Sequence, residues 1–97
     1  MYHQEVPKRQ QLTLSLAVHV ESNGPLILKG EITEELEPKV MVAMRNSREK
    51  KCLENGILTI LLPCLAQSSS DVKHQKILAF CRWLSIRSDV RVSHYYA

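Results

Sequence analysis

The chain has 97 residues, of which 44% are hydrophobic and 24% charged, with a net charge of +3. That is the make-up of one ordinary globular domain, and it excludes both a disordered chain and a division into two cores. The greasiest stretch, Ile57 to Ala66, would span only about 15 Å as a helix, whereas crossing a membrane takes roughly 20 apolar residues, so no transmembrane segment is expected.

The opening residues MYHQEVPKRQQ are polar and carry no hydrophobic segment of signal-peptide type. Residues 1–11 read as a flexible N-terminal segment and residues 12–97 as a single α+β domain. LTLSLAVHV follows, with Leu12, Leu14, Leu16, Val18 and Val20 alternating against Thr13, Ser15, Ala17 and His19. Period two over nine residues predicts a strand with one face on a core. PLILKGEIT predicts a second strand that buries Leu26, Leu28 and Ile32, weakened at its middle by Gly30. Asn23-Gly24 between them is a strong hairpin signal. Pro25 lacks the N–H that the tightest turn needs, so a looser loop is expected.

Thr33 suits a helix cap ahead of Glu34 and Glu35, where carboxylates complement the helix dipole. Pro38 falls too deep for that start; it either bends the helix or marks the first position of one capped by Glu37. The segment KVMVAMRNSREKKCLEN then gives a helix with Val40, Ala43 and Met44 inward, turning polar from Arg45 to Lys51 and ending at Asn55-Gly56. Residues 57–62, ILTILL, fit either a buried strand or a short apolar helix; the leucines and the neighbouring helical patterns favour helix. After the polar break QSSSD, capped at Ser70 or Asp71, a helix with Ile77, Phe80, Cys81 and Leu84 on one stripe is expected, with Ala79, Trp83 and Ile86 beside it. The tail VRVSHYYA alternates again and predicts a last strand. The order is β-β-α-α-α-β, giving an α+β fold with a small antiparallel sheet and helices packed on one face.

Chemistry is sparse. Cys52, Cys64 and Cys81 are odd in number, with spacings of 12 and 17, and match neither a disulfide framework nor paired zinc knuckles. Three reduced thiols point to a cytoplasmic protein, with the nucleus as the second choice. His3, His19, His74 and His94 lack the spacing of a helical metal site; a His19–His94 pair would need the first and last strands to be neighbours. Glu34, Glu35 and Glu37 are explained by a helix start. The chain contains none of G-x-x-x-x-G-K, G-x-G-x-x-G and G-x-S-x-G. The expectation is a non-enzymatic protein with no cofactor and no metal.

Charge is the feature that remains. Residues 1–70 hold eight Lys/Arg and eight Asp/Glu, whereas residues 71–97 hold five against two, so the whole +3 lies there. The same segment carries Phe80, Trp83, Tyr95 and Tyr96, four of the five aromatics. Arg and Tyr are enriched where proteins meet, so Arg87, Arg91, Tyr95 and Tyr96 are the candidate interaction residues of a self-association module, of the kind a viral or mobile-element accessory protein supplies, expected to form a homodimer and to meet another protein. The alternative is an RNA- or single-stranded-DNA-binding domain, with Lys73, Lys76, Arg82, Arg87 and Arg91 on phosphates and tyrosines stacking on bases. A second basic patch, Arg45, Arg48, Lys50 and Lys51, is diluted by Glu49 and Glu54 and reads as a solvated surface.

The order of a strand ending in ESNGP, a polar helix and then ILTILLPCLA resembles the core of rhabdovirus matrix proteins over about half of the chain. That resemblance implies a viral, matrix-like assembly role, self-associating and touching nucleoprotein or membrane. It assigns no site residue.

Overall fold

The computed structural model describes residues 12–20, 25–63 and 69–96. The expected flexible segment 1–11, the Asn23-Gly24 turn and Cys64 lie outside the described residues. Strand β1 runs Thr13–Val20, β2 Leu26–Glu31, β3 Lys50–Glu54, β4 Ile57–Leu62 and β5 Arg91–Tyr96; helix α1 runs Leu36–Met44 and α2 Ser70–Ser88. The fold is α+β, and the described residues form a five-stranded sheet of order β3-β4-β2-β1-β5.

The sheet is mixed where an antiparallel one is expected. Val20 opposite Leu26 joins β1 to β2 antiparallel, while Leu14 opposite Val92 joins β1 to β5 parallel. The connection explains the difference: β4 and β5 run the same way, and two strands so related need a crossover, which the 19-residue helix α2 supplies.

Residues 50–62 form a hairpin where the sequence favours helix. Asn55 and Gly56 take φ of 53° and 74°, the paired left-handed conformation of a two-residue hairpin turn, and Glu54 faces Ile57 across it. The N-G signal therefore marks a turn between strands and does not end a helix. In β4, Leu58, Ile60 and Leu62 are buried while Ile57, Thr59 and Leu61 face the other side, which is strand alternation.

One face of the sheet holds the core. Leu14, Leu16, Val18, Leu26, Leu28, Leu58, Ile60 and Leu62 pack beneath Leu36, Val40, Ala43 and Met44 of α1 and Ile77, Phe80, Cys81 and Leu84 of α2. Each such aliphatic side chain contributes roughly 1.5–3 kcal/mol by leaving water. Gly30 belongs to this face, opposite Leu58. A Cβ there would lie 2.5 Å from the Ser15 carbonyl oxygen and 2.9 Å from Leu16 Cδ2, so only glycine lets β1 approach this closely. Ile86 is 72% exposed and Ala79 is exposed as well, although both were expected beside the buried stripe. Ile86 is nine residues from Ile77, about 180° around a helix, and so must face away.

The helix starts are local hydrogen-bond solutions. The Leu36 N–H donates to Thr33 Oγ1 at 3.3 Å and to the Thr33 carbonyl at 3.1 Å, and the Glu37 N–H to the same carbonyl at 3.0 Å. Thr33 thus caps the turn that leads into α1, and Pro38 falls in the first turn of α1, where a missing N–H costs little. For α2 the cap is Ser69, whose Oγ accepts the Val72 N–H at 3.3 Å, one residue before the expected Ser70.

Candidate functional site

The C-terminal edge is built by the end of α2. Asp89 adopts a left-handed conformation, φ 55° and ψ 29°, which breaks the helix, and Val90 is buried, which turns the chain into the sheet. The Arg91 N–H then donates to the Leu12 carbonyl at 3.0 Å. On the sheet face away from the helices, Ser15 Oγ and Ser93 Oγ lie 2.8 Å apart. A register shift between Leu14 and Ser15 sets Leu16 opposite Tyr95 and Ala17 opposite Tyr96.

Ser85 of α2 guards the first part of this edge. Its hydroxyl donates to the Cys81 carbonyl at 2.9 Å and accepts the Val92 N–H at 3.3 Å. That N–H is therefore taken up by α2, and an added strand would have to pair beyond Val92.

The predicted interaction residues Arg87 and Arg91 are exposed and flank Asp89. Tyr95 and Tyr96 are on β5 by backbone register; their side chains lie outside what is described. The five cations of the nucleic-acid alternative do not form one surface. Lys73, Lys76 and Arg87 share a side of α2, whereas the five-residue spacing turns Arg82 about 140° away from Arg87. Arg91, paired with Thr13, belongs to the sheet face opposite the helices. His94 pairs with Ser15, four residues along β1 from His19, so about 13 Å of strand separates the two positions.

Away from this edge lies a concavity that no sequence motif marks. The residues linking α1 to β3, the end of β4 and one side of α2 enclose a groove of about 400 Å³, lined by Ser47, Arg48, Glu49, Leu62, Lys76, Phe80 and Trp83 among others. Phe80 and Trp83 stack with ring centroids 5.7 Å apart and planes 25° from parallel. The Ser47 hydroxyl donates to the Glu49 carboxylate and accepts the Glu49 N–H at 3.2 Å. The Lys76 ammonium donates to the Pro63 carbonyl. In the sequence Arg48 belongs to a solvated patch and Trp83 to the core, because these residues come from distant segments; only β4 as a strand brings residues 46–49 beside α2.

Burial pushes the Cys81 thiol above its ordinary value by desolvation, which keeps it protonated and unreactive. Cys52, on the edge strand β3, is exposed. Among the described residues no group of three or more His, Cys, Asp or Glu could hold a metal ion, and no helix is long and apolar enough to cross a membrane.

No family model, no curated protein and no solved structure matches this chain.

Proposed function

We propose that this chain is a protein-interaction module that self-associates through the β5 edge, giving a homodimer that can also receive a strand from another protein. One observation carries the reading: the two edges of the sheet differ. The edge strand β3, KKCLE, carries Lys50, Lys51 and Glu54 within five residues, and charged side chains are the common protection of an edge against pairing. The edge strand β5, RVSHYY, has one fixed charge, Arg91, and it stands at the start. Beyond Val92 the edge has no fixed charge, and such a stretch offers its backbone to a partner strand, the usual mode of strand addition. Arg87 and Arg91 beside it would set orientation by meeting carboxylates on the partner.

The test is light scattering on the eluting protein at about 50 and 300 mM salt, with and without a pool of RNA and single-stranded DNA. A dimer at both salts, weakened by Arg91→Ala and Tyr95→Ala, is the expected result. A monomer at high concentration, or a dimer unaffected by both substitutions, would sink it. The nucleic-acid reading has less support because its cations are spread over different faces. Its signature would be a complex present at low salt and lost at high salt, since neutralising several phosphates makes affinity fall by orders of magnitude over that range.

A further inference from the structure

We propose that the groove beside Trp83 is a binding site for a planar aromatic anion, a ligand with one flat ring system and one phosphate or carboxylate. The argument is independent of the β5 edge, which lies on another part of the molecule.

The size fits first. About 400 Å³ falls at the lower end of the range for small-molecule sites, roughly 300–1,000 Å³. The floor is apolar and already shaped: Leu62 and Phe80 are buried in the core, and Trp83 is partly buried against them. Phe80 stacks on one side of the indole. Trp83 lines the groove, and its ring is where a ligand ring would stack.

Charge selects an anion. Arg48 and Lys76 line the groove with a single carboxylate, Glu49, which keeps its charge while accepting the Ser47 hydroxyl, so one positive charge is left in excess. Lys76 is held in place by the Pro63 carbonyl, which uses one of its three donors and leaves two for a ligand. Arg48 supplies a planar fork suited to a carboxylate or phosphate. A neutral ring would satisfy the floor alone, and a bare anion the rim alone. Only a molecule with both uses the whole groove.

Trp83 is the chain's single tryptophan, so its fluorescence reports this site and no other. The experiment titrates the full chain with adenosine monophosphate and, separately, with biphenyl-4-carboxylate, reading fluorescence and calorimetric heat. Adenosine and inorganic phosphate are the controls for ring alone and charge alone. Saturable binding of at least one of the two anions is expected, tighter than either control and weakened about tenfold or more in Arg48→Gln and in Lys76→Gln. Both substitutions are at partly or fully exposed positions, and an unchanged circular dichroism melt shows that they leave the fold intact. Trp83→Phe, which keeps a ring, should retain heat of binding. Adenosine monophosphate alone binding points to a nucleotide source, biphenyl-4-carboxylate alone to an organic acid, and both to the shared chemistry. No saturable change with either anion at millimolar concentration overturns the proposal, as does binding that Arg48→Gln and Lys76→Gln leave unchanged.

Discussion

At the scale of single residues, three positions carry more than their side chains suggest. Gly30 has no room for a methyl group, because the obstacle at 2.5 Å is the Ser15 backbone carbonyl and cannot rotate aside. Gly30→Ala should cost about 1–3 kcal/mol through a forced shift of β1 against β2, read as a fall in melting temperature of several degrees, roughly 4–8 °C per kcal/mol for a domain of this size. Ser85 acts by hydrogen bonding. Ser85→Ala leaves the Val92 N–H without the oxygen it now meets at 3.3 Å. A loss of about 1 kcal/mol is expected, with faster hydrogen exchange at Val92 than at Arg91, whose N–H keeps the Leu12 carbonyl. Cys81 acts through protonation. Its thiol titrates above the ordinary value of 9.0 because burial penalises the thiolate. The folded chain therefore binds this proton more tightly than the unfolded one, and the stability it adds is full below about pH 9 and is lost as pH rises beyond it. Cys81→Ala should flatten the alkaline limb of the stability curve; an unchanged slope in denaturant titrations between about pH 8 and 10 would contradict that.

At the scale of elements, the informative case is the hairpin of β3 and β4. Its turn depends on a left-handed pair, Asn55 at φ 53° and Gly56 at φ 74°. Asparagine tolerates that region and alanine does not, so Gly56→Ala should destabilise by about 1–2 kcal/mol even though the nearest obstacle to its Cβ is 3.9 Å away. A melt unchanged from the native chain would show that the turn relaxes freely. The same hairpin marks where the sequence is hard to read. In β1 the outward residues are Thr13, Ser15, Ala17 and His19, small or polar against the leucines and valine within, so alternation is plain. In β4 the outward residues are Ile57, Thr59 and Leu61, of which Leu61 faces Ile27 of β2; this apolar patch on the open side of the sheet erases the period-two signal. In β3, Lys51 and Leu53 share the inward side while Lys50, Cys52 and Glu54 take the other, so an edge strand imitates the polar face of a helix. Helix α2 was legible because Ile77, Phe80, Cys81 and Leu84 keep their spacing over two full turns. The groove beside Trp83 was not, because its parts meet only once β4 is a strand. The β5 edge was legible as a strand with Arg91, Tyr95 and Tyr96, but its parallel pairing with β1 depends on the route of α2, which no local pattern encodes.

At the scale of the whole molecule, the described sheet has helices on one face and two edges of opposite character, and on the proposed reading this asymmetry would set how copies join. Pairing through β5 alone is self-limiting: two copies related by a twofold axis use the same edge, leave a β3 edge at each end, and stop at a dimer. Folded chain and dimer are then linked by mass action, so the melting temperature should rise with protein concentration, as it must for anything that binds the native state alone. In the proposed dimer, the lysines of β3 would keep the second edge closed. Replacing both with an uncharged, strand-favouring residue, Lys50→Thr with Lys51→Thr, should leave the hairpin folded while opening a second pairing edge. Each copy would then have two adhesive edges and the assembly no closure, so scattering should report species growing with concentration beyond two copies. Adding Tyr95→Lys with Tyr96→Lys to that variant places charge on β5 as well and should return chains to at most a dimer, now through β3. If the double threonine variant remains a dimer at all concentrations, the charged residues of β3 are not what guards that edge, and the distinction between the two edges loses its force.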